Sequence, residues 1–153
     1  MIAKKVSAVI LGALILLGVI YIVFGAGGET IKNKYTFVGK SDHWEASYKI
    51  NAKEKFYERN GRGQYDSEYE DQFKLIFKGT DKEMAEIEEF HYKYQSPAGS
   101  SDSTMTFEEP RTNKVFSSGA FHQGNAIPRE YHIIEVLVRW DGNEESFELK
   151  VQE

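Results

Sequence analysis

Among the 153 residues of this chain there is no cysteine, and that absence removes several classes at once. A disulfide framework, a thiolate metal site, a thiol nucleophile and a lipid anchor on an N-terminal cysteine are all excluded. Proline is scarce, at three, so glycine is left to mark most turns. Basic charge is in deficit: of 19 Lys and Arg, Lys4 and Lys5 precede the apolar run described next, leaving 17 against 24 Asp and Glu, a net of −7. Phosphate binding needs a basic face, so nucleic acid is not an expected partner. Such a surplus of carboxylates is ordinary solubility and names no substrate.

One long apolar run is present. Val6 to Phe24 gives 19 residues, apolar apart from Ser7 and two glycines, after the basic start Lys4-Lys5. At about 1.5 Å per residue a helix of that length crosses close to the roughly 30 Å hydrocarbon core. A secretory leader has a shorter apolar core of about 7–15 residues. Gly25-Ala26-Gly27 does supply small residues for cleavage, so a removed leader is the competing reading. Ala8 and Gly12 form a small-xxx-small pair, and Tyr21 and Phe24 suit an interfacial belt. The expected organisation is a cytoplasmic N-terminus (1–5), a transmembrane helix (6–24), a linker (25–34) and an extracytoplasmic β-domain (35–153). Lys4 and Lys5 favour an inside N-terminus, while Lys32, Lys34 and Lys40 blunt that bias.

After the run, hydrophobicity alternates with period two. Trp44, Ala46, Tyr48 and Ile50 share one phase, as do Phe73, Leu75 and Phe77. Phe90, Tyr92 and Tyr94 follow the same rule. So do Ile134, Val136, Val138 and Trp140, then Phe147, Leu149 and Val151. Each strand offers one apolar and one wet face, and the apolar face must be covered. With no long amphipathic helix in view, a second sheet is the simplest cover. The expected fold is mainly β: an antiparallel β-sandwich, immunoglobulin-like or similar, preceded by one N-terminal transmembrane α-helix. Asp141-Gly142 suits a tight hairpin between the last two strands. Lys78-Gly79-Thr80-Asp81 reads as a turn, and Asp81 to Glu88 as one helical turn with Met84 and Ile87 three apart. Gln95 to Thr104 reads as a loop. Asn51 to Gln72 is polar, charged and aromatic, and reads as a long hairpin or a folded excursion.

Gly39-x-Ser41-x-x-Trp44-x-x-x-Tyr48 and Trp140-Asp141-Gly142-x-x-Glu145-x-Phe147 carry a resemblance. They are similar to a group of small extracytoplasmic proteins of Gram-positive bacteria, of undefined function, that are lipoproteins or single-span membrane proteins. The resemblance covers both ends of the exported domain and leaves residues 51–72 unmatched. It implies a β-sandwich-like domain and, without a lipobox cysteine, the single-span form. It brings no catalytic residue.

Candidate chemistry is thin. The histidines, His43, His91, His122 and His132, stand in no zinc spacing, although His122 and His132 would approach if their segments paired. Ser117-Ser118-Gly119-Ala120 lacks the spacing of a nucleophile elbow. Asp66, Glu68, Glu70 and Asp71 form the densest acidic cluster. Loop carboxylates of that kind hold Ca²⁺ in some folds, but no EF-hand spacing is present and a solvated face is the expected reading. Neither catalytic residues nor a cofactor are expected. Aromatics are plentiful, with nine Tyr and ten Phe. Trp44 and Trp140 fall on core phases. Phe56, Tyr57, Tyr65, Tyr69, Phe116 and Phe121 fall elsewhere, near Arg59, Arg62 and Arg111. Tyr with Arg is the composition of a recognition surface. The expected partner-binding residues are Phe56, Tyr57, Arg59, Arg62, Tyr65 and Tyr69. The chain then reads as a membrane-anchored binding module at the cell envelope, facing a protein or envelope partner. A structural subunit of a larger membrane complex and an enzyme acting on envelope material are the alternatives.

Overall fold

Period-two alternation becomes strand throughout the computed structural model, which describes residues 28–97, 99–124 and 126–152. The elements in chain order are β1 (Glu29–Lys40), β2 (Trp44–Arg59), β3 (Arg62–Phe77), α1 (Asp81–Ala85), β4 (Glu89–Ser96), β5 (Gly99–Thr106), β6 (Val115–Gln123), β7 (Ile134–Trp140) and β8 (Asn143–Val151). Among the described residues no helix is long and apolar enough to cross a membrane. The expected span at 6–24, with Ala8, Gly12, Tyr21 and Phe24, lies outside the described residues. β1 begins at Glu29, so residues 29–34 are strand rather than the expected linker.

The strands form one curled antiparallel sheet in the order β5-β4-β7-β8-β1-β2-β3-β6. Two separate sheets were the expectation; instead the layers join along the β1–β8 ladder. There Phe37 faces Val151, Val38 faces Lys150, and Gln152 donates its N–H to the Thr36 carbonyl at 2.8 Å. Gly39 permits the join: a Cβ at that position would lie 2.1 Å from the Glu148 carbonyl oxygen. Only a residue without a side chain tolerates such an approach.

Of the described residues, 28–31 and 54–66 form a small unit, and 32–53 with 67–152 a larger one. The larger unit holds the core. Trp44, Tyr48, Phe73, Phe90, Ile134, Val138 and Leu149 are fully buried. Inner faces of the curl meet through rings: Phe73 stacks on Tyr94 at 4.3 Å and Phe90 on Phe116 at 4.1 Å. Trp44 lies 5.0 Å from Phe77, 5.2 Å from Phe90 and 5.5 Å from Trp140. The expected helical turn is α1. Thr80 and Glu83 make a reciprocal capping box, and Met84 and Ile87 are buried.

The two motifs behind the resemblance meet in space. Glu145 accepts the His43 N–H at 3.1 Å and faces the His43 ring nitrogen at 2.5 Å. Asp141 accepts the backbone N–H groups of Glu88 and Glu89 at 3.1 and 2.8 Å. Asp141 and Gly142 take φ of 44° and 81°, the left-handed conformation of the expected hairpin turn.

Two readings are corrected. Gln95 to Thr104 is not a loop; it spans the turn of the β4–β5 hairpin and most of β5, and the hairpin is paired from Glu89–Thr106 to Ser96–Gly99. Residues of β5 alternate half-buried and exposed on a sheet edge, Ser101 and Ser103 half-buried and Asp102 exposed, and small polar residues suffice there. Phe116 is no surface aromatic but a core residue of β6.

Candidate functional site in the β2–β3 hairpin

The polar stretch between Asn51 and Gln72 is a long hairpin. β2 and β3 have 16 residues each and reverse at Asn60-Gly61, with φ of 55° and 71°. That pair of left-handed residues is the chemistry of a two-residue turn matched to strand twist. The outer part, 54–66, carries Phe56, Tyr57, Arg59, Arg62 and Tyr65. Phe56 and Tyr65 are 44% and 46% exposed, and their ring centroids are 4.9 Å apart. The Tyr65 hydroxyl donates to Glu54 Oε1 at 2.8 Å, and Glu54 is buried. Tyr57 and Lys55 share the other phase, with Lys55 Nζ 5.4 Å from the Tyr57 ring centre. A hydrogen bond from Tyr57 to Asp66, helped by burial and by the carboxylate charge, raises the phenol above its ordinary range. The hairpin thus presents an exposed aromatic pair with Arg59 and Arg62 flanking the turn.

Tyr69, expected on the same surface, is a correction. It is 2% exposed and stacks on His122 at 4.4 Å. The inward phase of β3 runs through Ser67, Tyr69, Phe73 and Leu75, so Tyr69 belongs to the core. Sequence reasoning missed its neighbour. Asp71 accepts the Tyr48 hydroxyl at 2.8 Å, His122 Nε2 at 2.9 Å and the Ala120 N–H at 3.0 Å. The Asp71 side chain is only 6% exposed. Burial first, then the bond to Asp71, pushes the Tyr48 hydroxyl far above the usual phenol range, so it acts purely as a donor. A carboxylate only accepts, so His122 donates from Nε2. The cluster ties β2, β3 and β6 together. The signal for it was the acid Asp71 on an apolar phase, readable only once β6 is placed beside β3.

The other histidines are paired separately: His91 Nε2 with Asp102 at 2.7 Å, and His132 Nδ1 with the Arg129 N–H at 2.9 Å. His122 and His132 therefore serve different contacts. The acidic cluster is dispersed in the same way. Asp66 bonds Tyr57, Glu68 takes Lys53 at 2.9 Å, and Asp71 lies in the polar cluster. Among the described residues no group of three metal-ligating side chains converges. Surface grooves among the described residues mix charged with apolar and aromatic side chains. One of about 180 Å³ runs past Lys32, Lys34, Lys53, Glu68 and Phe121, and one of about 540 Å³ past Lys93, Glu135, Phe147 and Glu148. Comparison with protein-family models, with curated proteins and with solved structures finds no match.

Proposed function

We propose that the chain is a single-pass membrane protein of the cell envelope, and that its exported β-domain is a binding module whose contact surface is the β2–β3 hairpin. The carrying observation is the exposed Phe56–Tyr65 pair, held in place by Tyr65 donating to the buried Glu54. Exposed aromatics fixed by a second contact lose little entropy on binding, which is why they recur in recognition surfaces. Arg59 and Arg62 add donors at the turn. The anchor rests on the charge-free run from Val6 to Phe24. In this reading the curled sheet is the sandwich-like carrier, related to the Gram-positive envelope proteins that the two end motifs resemble.

The test uses the full chain in its native membrane. A photo-crosslinking residue replaces Tyr57, and adducts are compared with those from the same probe at Ser100 on the β5 edge. The expected result is a hairpin-specific adduct that Phe56→Ser with Arg62→Ser removes. Identical adducts from both positions, unchanged by the substitutions, would refute the hairpin as the contact surface.

A further inference from the structure

The chain enters the domain beside the hairpin. A Cβ on Gly28 would lie 2.4 Å from the Phe56 carbonyl oxygen and 2.6 Å from Tyr57 Cβ. β1 and β2 are antiparallel neighbours, so β2 beyond Phe56 runs on past the N-terminal end of β1. It continues for three residues to Arg59 and turns at Asn60-Gly61. At about 3.3 Å per residue the turn lies on the order of 13 Å past Phe56. Only Gly25, Ala26 and Gly27 separate Gly28 from Phe24, the last residue of the apolar run. Four residue steps reach at most about 14 Å, whatever their conformation. The hairpin tip and the membrane boundary therefore fall within one short reach of the same residue.

The chemistry of the tip suits that place. Phe56 and Tyr65 are half exposed, Tyr57 lies on the other phase beside Lys55, and Arg59 and Arg62 stand within three residues of them along the two strands. Aromatic rings with Lys or Arg at their margin are the side chains that settle at the headgroup level. Of the three acids in the segment, Glu54 bonds Tyr65 and Asp66 bonds Tyr57, leaving Glu58. Three cations thus face three acids, so the contact is amphipathic rather than polybasic and needs no excess of anionic lipid.

We propose that the tip of the β2–β3 hairpin rests on the lipid headgroups of the membrane in which the chain is anchored. This deepens the reading of the hairpin as a contact surface and rests on the anchored reading above. Phe56 and Tyr65 enter the headgroup zone, and Arg59 and Arg62 meet the phosphates.

Gly63→Cys supplies a probe site, because a Cβ there meets nothing within 4 Å and the chain has no other thiol. The full-length variant carries an environment-sensitive fluorophore at that thiol. It is reconstituted into phosphatidylcholine–phosphatidylglycerol vesicles containing headgroup-spin-labelled lipid. The expected result is quenching of the fluorescence by about half, weaker quenching from a nitroxide at the acyl-chain end, and little change with salt. Phe56→Ser should weaken the quenching while leaving the circular dichroism unchanged. Alkaline carbonate extraction of the same vesicles separates the two claims. A chain that resists extraction but shows no headgroup quenching overturns the lipid contact and leaves the anchor standing. A chain released by carbonate overturns both.

Discussion

Tyr48 donates to Asp71 inside the larger unit, and Tyr48→Phe removes that donor while leaving His122 and the Ala120 N–H in place. The expected loss is about 1–2 kcal/mol in urea unfolding. Trp44→Ala strikes a point of the core where several rings meet, and a loss of about 3–5 kcal/mol is expected in the same assay. Glu145 gives a pH test. Burial works to raise its pKa, but the nearby Ser41 hydroxyl, the hydrogen bonds from His43 and the His43 charge outweigh it, and the carboxyl is held below its ordinary 4.5. A depressed carboxyl contributes stability that is present in full above its unfolded value. That stability is lost as pH falls through the folded value. The urea midpoint of the wild type should therefore fall more steeply than that of Glu145→Gln between about pH 5 and pH 3. Parallel curves would contradict the assignment.

At the scale of elements, the join between β1 and β8 is the sensitive place. Gly39→Ala puts a Cβ against the Glu148 carbonyl, which is backbone and does not swing aside. A loss of about 3 kcal/mol is expected, whereas Gly63→Ala, with open space around it, should be neutral or slightly stabilising. The β7–β8 ladder sets Glu135 directly opposite Glu148. Like charges facing across strands repel, so Glu135→Lys should raise stability by about 0.5 kcal/mol in thermal unfolding. The strands with strong alternation, from Trp44 to Ile50 and from Ile134 to Trp140, were legible in the sequence, as was the Asp141-Gly142 turn. β5 was not, because Ser100 to Thr104 lies on a sheet edge and needs no apolar phase. β6 was not, because Ser117 to Ala120 carries little apolar signal beyond Phe116. The single curled sheet was hidden for a different reason. It depends on the close approach of Gly39 to Glu148, two residues that pattern alone does not bring together. In the candidate site, Phe56, Tyr57, Arg59, Arg62 and Tyr65 fall on one hairpin as composition suggested. Tyr69 was misplaced because the polar stretch concealed where the inward phase of β3 resumes.

At the scale of the whole molecule, a charge-free run of 19 residues precedes a domain that carries net negative charge and keeps its aromatic hairpin beside the point of chain entry. The membrane anchor proposed above would give these features one physical setting: in that proposal the run crosses the bilayer, the acidic domain stays in water and the hairpin faces the boundary. The absence of cysteine allows the sidedness to be read directly. Asp42→Cys places one thiol on the exposed turn between β1 and β2. Intact cells expressing the full chain are treated with a membrane-impermeant maleimide, and the labelled fraction is compared with that after lysis. Labelling in intact cells equal to that after lysis is the expected result. Labelling that appears only after lysis would place the domain on the cytoplasmic side and contradict the proposed envelope function.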